Sequence, residues 1–420
     1  MEIVIGYALF NLVACIVIFK RYKENNIIKY IYSIWTISSF ASILYYIESF
    51  KYTRITILPY IFLFTCLIIS LIPFFSFKER KLTKVEIGNK WIFKRVIYCI
   101  IIISILPFLE NVIHLISSMN NSTQIAEIYD EKMSGEIDNS KLITWHTSIG
   151  KICNSINLKF AYCSIFILFT YLANFRFNKY VGIGLAIVCI NPILHSIGVS
   201  SRAGIVFTCL NSVFYYFLFR NILPSSIRKN IKKGGVILIS LAIFSFFIVT
   251  ISRYFSNEAY QNVSFWAWLS LYLGEGTLNF NDTMWYTKAY MAGDNCFSFF
   301  KNIFGLDTFT DLLERRAYWE IRTGVQGNLF YTFIGDIFSD IGYFVMPFLM
   351  FISLYIRKQV RNKASIRILP LYMFSIWATV CIGGFTCYIF KSVSGTIDIL
   401  FSLFIIFILN YRFNHAQQKG

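Results

Sequence analysis

The chain is dominated by long apolar stretches, most of them close to the roughly 20 residues that a helix needs to cross a bilayer. About eleven such stretches lie between polar or basic connections, at about 2–19, 27–49, 57–77, 96–116, 153–175, 181–200, 204–219, 235–254, 334–356, 368–390 and 394–411. Of the 420 residues, 56% are hydrophobic and only 15% are charged, which excludes an ordinary water-soluble domain. The sequence therefore predicts an all-α polytopic membrane protein, with residues 1–420 forming a single integral membrane domain.

Basic residues are divided unevenly between alternate connections. Most of the 39 lysines and arginines fall in one set of loops, and only three acidic residues accompany them there. Loops with an excess of lysine and arginine lie on the cytoplasmic side of a membrane. With eleven spans every connection alternates correctly, which predicts an external N-terminus and a cytoplasmic C-terminus. The net charge of +17 is thus a signal of topology and of contact with membrane lipids, and it does not indicate nucleic acid.

Two of the predicted external connections are long. Residues 117–151 form a polar loop, and residues 256–333 form a large loop between spans 8 and 9 that is rich in tryptophan and tyrosine. These rings suit short helices that lie at the membrane interface. Placed beside asparagine and aspartate, they also suit sugar binding, in which a ring packs on a sugar face while amides and carboxylates bond hydroxyls. The sequence allows both interpretations.

Ionisable side chains inside the predicted spans fall in their outer halves. No acid or histidine lies in an inner half, which disfavours a carrier that must open to both sides. Asp336 and Asp340 are four residues apart in GNLFYTFIGDIFSDIGY, so they share one helix face. A carboxylate at membrane depth usually marks a functional cavity, and the alternative is a pair at surface level that touches water or headgroups. His195 lies in the outer half of its span and has a structural role as its alternative.

Several arginines are predicted at the outer surface. Arg202 lies in the tight turn SSRAG beside the start of the next helix, and Arg253 ends the eighth span. Arg315, Arg316 and Arg322 follow at helical spacing in the large loop. Guanidinium groups at a helix N-terminus and above an apolar bundle suit a diphosphate. The alternative for Arg202 is a simple anchor at the membrane interface. The alternative for Arg315 and Arg316 is a solvated helix face.

Motifs of soluble enzymes are missing from the sequence. There is no G-x-x-x-x-G-K, no G-x-G-x-x-G after a strand, no H-E-x-x-H and no G-x-S-x-G. The four histidines lack the spacing of metal ligands, and none of the ten cysteines forms a CxxC pair. We therefore predict neither a metal nor a cofactor.

Four stretches of the chain together resemble the O-antigen polymerase (Wzy) family, the oligosaccharide repeat-unit polymerases of bacterial surface polysaccharides. They are SSRAG, TISRYF at the start of the large loop, YLGEGTLNFND soon after it, and GNLFYTFIGDIFSDIGY at its end. The resemblance extends over most of the chain through the number of spans and the placement of loops. In the last stretch, family members show an Asn, a Thr and then Asp-aromatic-Gly. Asn328, Thr332 and Asp340 match this pattern, while Ile341 stands where an aromatic residue is common.

The resemblance implies a metal-independent glycosyltransferase of the bacterial inner membrane, with its active site facing the periplasm. It would join undecaprenyl-diphosphate-linked oligosaccharides, stabilise the departing diphosphate with cations and activate the attacking hydroxyl with a base. The residues expected in these roles are Arg202, Arg253, Arg322 and Arg315 for the diphosphate, His195, Asp336 and Asp340 as candidate bases, and Tyr272, Asn279, Asn328 and Thr332 for the substrate. The resemblance further implies a chain-length regulator and a flippase as protein partners.

Two other functions stay open from the sequence. A ligase-like lipid-linked glycan transferase would use the same leaving group and differ only in its acceptor. A polysaccharide flippase or transporter would need polar residues through the full membrane depth, and usually internal repeats.

Overall fold

Helices make up most of the structure, a computed structural model that describes residues 1–49, 51–119, 145, 147–199, 201, 203–256, 264–306, 309, 312–327 and 329–411. The helices are α1 (Glu2–Arg21), α2 (Asn26–Ser49), α3 (Ile57–Ser70), α4 (Ile72–Ser76), α5 (Lys90–Met119), α6 (Ser148–Asn174), α7 (Lys179–Gly198), α8 (Ala203–Phe219), α9 (Ser225–Ser256), α10 (Phe265–Asp282), α11 (Ser298–Ile303), α12 (Leu312–Thr323), α13 (Thr332–Ile341), α14 (Val345–Val360), α15 (Ile368–Gly383) and α16 (Val393–Asn410). Two short strands, β1 (Lys84–Glu86) and β2 (Ser365–Arg367), form a parallel pair. The all-α class predicted from the sequence is confirmed.

Seven helical segments in the described part of the chain are long and apolar enough to cross a membrane. They are Glu2–Arg21, Asn26–Ser49, Lys90–Ser117, Ser148–Asn174, Lys179–Gly198, Thr332–Val360 and Val393–Asn410. Three further apolar helices are shorter, at Ile57–Ser70, Gly204–Phe219 and Ile368–Gly383. Because a backbone in lipid must satisfy its own hydrogen bonds, such helices are the natural spanning elements. The chain is thus a multi-pass helical membrane protein, and the number of eleven spans stays a prediction.

The chain divides into two compact units. Unit 1 comprises Met1–Lys81, Ala259–Lys363 and Met373–Ile397. Unit 2 comprises Leu82–Glu258, Ala364–Tyr372 and Asp398–Gly420.

In unit 1, α10 packs closely along α2. A Cβ built on Gly274 would lie 2.4 Å from the backbone nitrogen of Ser42, so this approach requires a glycine. The hydroxyl of Ser38 donates a hydrogen bond to the carbonyl oxygen of Leu273 at 2.6 Å. The sequence predicted short interfacial helices in residues 256–333, whereas the second half of the 18-residue α10 is buried in unit 1. The placement of the large loop at the membrane surface stays a prediction.

The predicted span 334–356 is interrupted in the structure. Gly342 has a φ of +58°, and a 3₁₀ turn over Gly342–Phe344 separates α13 from α14. A Cβ on Gly342 would also lie 2.4 Å from the ring of Tyr290, so the position needs glycine for both its backbone angle and its space. The residues from Thr332 to Asp340 are all buried. The two aspartates therefore lie on a short helix that is enclosed by protein in unit 1.

In unit 2, α5, α6 and α7 share a buried chain of asparagines. The side-chain amide of Asn111 donates to Asn191 Oδ1 at 2.7 Å, and that of Asn191 donates to Asn157 Oδ1 at 2.8 Å. All three side chains are buried. Amide bonds of this kind hold helices together where the surroundings are apolar.

Candidate functional site

The candidate site is a cavity of about 130 Å³ in unit 1. Five segments meet there, namely α12, α13, the connection between these two helices, the loop after α10 and the connection between α15 and α16. The charged and polar residues that line it are Asp294, Asn295, Arg315, Arg316, Trp319, Gln326, Tyr331, Asp336, Lys391 and Ser392. Among the predicted site residues, Arg315 and Asp336 are brought together here.

Asp336 forms the buried wall of this cavity, with only 1% of its surface exposed. Its Oδ2 accepts a hydrogen bond from the backbone N–H of Tyr388 at 2.6 Å. Its Oδ1 lies 3.3 Å from the amine of Lys391 and 3.2 Å from the side-chain amide of Asn295. A buried carboxylate is tolerated when a cation and N–H donors compensate its charge in this way.

The amine of Lys391 supplies that positive charge. Burial lowers the pKa of Lys391, but the negative groups around it, Asp336 above all, more than offset this effect. The net result is a pKa above the usual value, so Lys391 stays a cation at neutral pH. It faces the cavity with about a third of its side chain exposed, at 30%.

Asp340 holds a loop in place instead of lining the cavity. Its Oδ1 accepts from the backbone N–H of Asn295 at 3.0 Å, and its Oδ2 accepts from that of Cys296 at 2.6 Å. The side-chain amide of Asn295 bonds Asp336, so one residue bridges both carboxylates and confirms that they share a helix face. Ala292, just before this loop, has a φ of +49°, which is unfavourable for a residue with a Cβ. Both oxygens of Asp340 are thus used to fix a strained segment.

Arg315 and Arg316 bring two guanidinium groups to the cavity without a matching negative charge. Neither takes part in an ion pair among the residues that the structure describes. Burial lowers the pKa of Arg316, and the adjacent charge of Arg315 lowers it further. Gly327 packs against this side chain, since a Cβ there would lie 3.0 Å from Arg316 Cγ. Two neighbouring guanidiniums that form no ion pair with a described residue suit the oxygens of a phosphate group.

Asp294 fixes α12 against the rest of the cavity. Its Oδ2 accepts a hydrogen bond from the indole N–H of Trp319 at 2.9 Å, and its Oδ1 forms an ion pair with Lys301. The side chain of Asp294 is 5% exposed. Both acids of the lining, Asp294 and Asp336, already have a lysine partner. Neither acid therefore neutralises the charge of Arg315 or Arg316.

Several predicted site residues lie away from this cavity or outside the described part of the chain. Arg202 and Asn328 are outside the described residues, as is the side chain of Arg253. Arg322 is exposed on α12 and its guanidinium stacks 4.9 Å from the ring of Tyr318. Their predicted roles in binding stay predictions.

His195 lies on α7 in unit 2. Its Nδ1 is 3.4 Å from the side-chain amide nitrogen of Asn154, and the residue is half-buried. Asn154 in turn accepts a hydrogen bond from the side-chain amide of Asn191 at 3.5 Å, so His195 is linked to the asparagine chain of that unit. The role of His195 as a base stays a prediction.

The predicted substrate-binding residues of the large loop differ in their surroundings. Asn279 is buried, donates to the carbonyl oxygen of Phe330 at 3.0 Å, and lines a second cavity. The ring of Tyr272 lies 6.3 Å from that of Phe330. Thr332 is fully buried with a φ of +65°, and its hydroxyl accepts from the N–H of Gly335 at 3.2 Å. Its described contacts are those of a residue that begins α13.

The sequence analysis missed Lys391, Asn295 and Trp319 as cavity residues. Lys391 lies in a short predicted external connection, in a chain that keeps most of its lysines on the predicted cytoplasmic side. That exception was a usable signal. Nothing in the sequence marks Asn295, because its role depends on bonds to residues more than forty positions away.

Comparison with known proteins adds no relative. No family model matches the chain, and neither a curated protein nor a solved structure matches it. The resemblance to the O-antigen polymerases rests on the four sequence stretches quoted above.

Proposed function

We propose that the chain is a glycosyltransferase of the O-antigen polymerase type, which joins undecaprenyl-diphosphate-linked oligosaccharides on the outer face of the bacterial inner membrane. The observation that carries the proposal is a pair of guanidiniums, Arg315 and Arg316, that form no ion pair within the described part of the chain and line a cavity with Lys391 and Asp336. Three cations around one space suit a diphosphate leaving group. The substrate carries its own activation in the diphosphate ester, in keeping with a sequence that has no nucleotide-binding motif.

Contacts between loops support the eleven-span topology as part of this proposal. The pairing of β1 with β2 joins two connections that are both predicted to be cytoplasmic. The backbone N–H of Gly88 donates to the carbonyl oxygen of Leu409 at 2.9 Å, which ties the end of the last span to the same side. Asp282 accepts from the N–H of Thr53 at 2.9 Å, and both belong to predicted external connections. Each contact joins loops that the charge pattern assigns to one side.

The proposed reaction forms one bond and breaks one. The oxygen of an acceptor hydroxyl attacks the anomeric carbon of the donor sugar, while the bond from that carbon to the diphosphate oxygen breaks. The electron pair leaves with the diphosphate, and the hydroxyl proton passes to a base. Arg315, Arg316 and Lys391 stabilise the growing negative charge, at about 3 kcal/mol for each well-placed donor.

Asp336 is the first candidate for the base because it lines the cavity, and an acceptor hydroxyl would replace the side-chain contact of Asn295 at Oδ1. Asp340 is proposed as a positioning residue, since it does not line the cavity and both of its oxygens hold backbone N–H groups of the loop. His195, which lies in unit 2, stays a candidate from the sequence.

The test is complementation of a gene deletion in the native host, read on a polysaccharide ladder gel. The double variant Arg315→Ala/Arg316→Ala is expected to lose long chains at a normal level of protein. Lys288→Ala is the matched comparison, because it removes an exposed cation of the same unit outside both cavities. Full ladders from the double variant would overturn the assignment of the diphosphate to this cavity.

The same gels separate polymerase from ligase. Loss of a polymerase leaves single repeat units that are still transferred to their final acceptor, whereas loss of a ligase leaves long polymer on the lipid carrier. Arg202→Ala and Arg253→Ala test the arginines predicted from the sequence. Full-length chains from both variants at normal expression would remove them from the diphosphate site.

A further inference from the structure

A second cavity adjoins the first in unit 1. Its volume is about 240 Å³, and it shares Gln326, Leu329 and Tyr331 with the first cavity as a common wall. Sites for drug-sized ligands usually measure about 300–1,000 Å³. The second cavity is therefore of a size for a single ring and not for an oligosaccharide.

The second cavity offers hydrogen-bond acceptors whose positions are already fixed. Asp282 receives two backbone bonds on the same oxygen, Oδ1, from the N–H groups of Thr53 at 2.9 Å and Arg54 at 2.6 Å. The described residues form no hydrogen bond to its Oδ2, so this oxygen can accept from a ligand. The amide of Asn279 is held by its bond to Phe330, which orients its Oδ1 as a second acceptor. Fixed acceptors of this kind match the hydroxyl groups of a sugar.

Tyrosine rings complete the wall of the second cavity. Tyr52 and Tyr331 both line it, and both side chains are largely buried. The hydroxyl of Tyr331 donates to the carbonyl oxygen of Gln326 at 2.8 Å, so its ring is held at the boundary of the two cavities. An aromatic ring beside amide and carboxylate acceptors is the combination that packs on the face of a sugar and bonds its rim.

The charge of the second cavity is opposite in sign to that of the first. Its lysine, Lys51, lies 3.1 Å from the buried carboxylate of Glu275, so that pair is neutral. Asp282 forms no ion pair with any residue that the structure describes. The negative charges near the second cavity also affect the pKa of Tyr52. Burial raises the pKa of Tyr52, and the charges of Glu275 and Asp282 raise it further. A ligand carboxylate in this cavity would meet a like charge at close range.

We propose that the second cavity is a subsite for one uncharged sugar ring, namely the donor sugar bonded to the diphosphate, and that Asp282 makes it reject acidic sugars. The assignment of this ring to a lipid-linked donor rests on the proposed function. The shared wall of the two cavities supports placing the sugar ring next to the diphosphate.

The test measures binding of methyl glycosides to the purified full-length protein in lipid nanodiscs by saturation-transfer NMR. The probes are neutral methyl glycosides of glucose, galactose, mannose, rhamnose and N-acetylglucosamine, together with methyl glucuronide and methyl galacturonide. At least one neutral glycoside is expected to bind. Each uronide is expected to bind about tenfold or more weakly than its neutral parent, because two like charges at contact distance repel by at least that factor.

The decisive variant is Asp282→Asn, which keeps the acceptor oxygen for the two backbone bonds and removes the charge. It is expected to raise the affinity for uronides by about tenfold, because the like charge is removed. Neutral glycosides are expected to bind more weakly than in the wild type, because an amide N–H donor replaces the accepting Oδ2. A gain in binding cannot come from misfolding. Glu320→Gln, which removes an exposed acid outside both cavities, is the matched control and is expected to change neither.

Two results would overturn the subsite. One is the absence of binding by every neutral glycoside, and the other is a uronide that binds the wild type as tightly as its neutral parent. Inorganic pyrophosphate, titrated into the same samples by calorimetry, separates this result from the proposed function. Glycoside binding without pyrophosphate binding would contradict the diphosphate site and support the sugar subsite. Pyrophosphate binding without glycoside binding would contradict the sugar subsite alone.

Discussion

Replacing Lys391 by methionine tests the ion pair at the centre of the candidate site. The change removes the cation 3.3 Å from a carboxylate that is 1% exposed, and it keeps most of the side-chain volume. Removing one partner of a buried pair costs about 3–5 kcal/mol because the remaining charge is buried without compensation. Asp336 keeps its bonds to Tyr388 and Asn295, and Lys391 itself is partly exposed. We therefore expect the lower end of that range, about 3 kcal/mol in the free energy of unfolding.

The measurement is a double-mutant cycle in mild detergent, with unfolding followed by titration with SDS. Asp336→Asn in the Lys391→Met background is expected to recover about 1–2 kcal/mol, because the uncompensated charge is then gone. The chain offers a matched control in Arg80 and Glu24, an ion pair whose side chains are 66% and 65% exposed. Arg80→Met is expected to cost less than about 1 kcal/mol. Equal costs for Lys391→Met and Arg80→Met, with no coupling in the cycle, would refute the reasoning.

Three further perturbations address the loop, the helix contact and the pH response. Asp340→Ala leaves one buried and one part-buried backbone N–H donor without an acceptor and is expected to lower the free energy of unfolding by about 2–4 kcal/mol. Asp340→Asn is expected to lose less, and equal losses in SDS titration would contradict this. Gly274→Ala is expected to cost about 1–3 kcal/mol by thermal unfolding because α2 lies too close, whereas Gly6→Ala, with open space around it, is the neutral control. Folding raises the pKa of Lys391. Its ion pair therefore stabilises the folded protein fully at every pH below about 10.4, the pKa of lysine in the unfolded chain. This stabilisation is lost only as the pH rises through the higher pKa of the folded state. The difference in stability between wild type and Lys391→Met is therefore expected to stay constant from about pH 7 to about pH 9, and a decline in that window would count against the pair.

Much of the helical architecture could be predicted because it depends on local properties. Runs of apolar residues of spanning length mark α1, α2, α5, α6 and α7 directly, since a helix in lipid satisfies its own backbone. The common face of Asp336 and Asp340 was equally predictable, because residues four apart in a helix stack on one side. The break at Gly342 was missed, although a glycine near the end of an aspartate-bearing helix is a known stop signal.

The composition of the candidate site could be predicted only in part. Arg315 and Asp336 were chosen from the sequence and meet in one cavity. The role of Asp340 was not foreseen, because its partners are the backbone N–H groups of a loop 44 and 45 residues earlier. Lys391 pairs with a carboxylate 55 residues before it, and no periodicity connects the two.

The sequence by itself determined the class of the protein, the positions of its apolar helices and the alignment of two aspartates. All three follow from spacing within a single segment. Only the tertiary structure decided which cation meets Asp336, which acids are already neutralised and which two arginines lie beside them without an ion pair among the described residues. Those outcomes depend on contacts between segments that are distant in the sequence. In a buried site, a charge without a partner is energetically costly, so these contacts determine which groups can be charged.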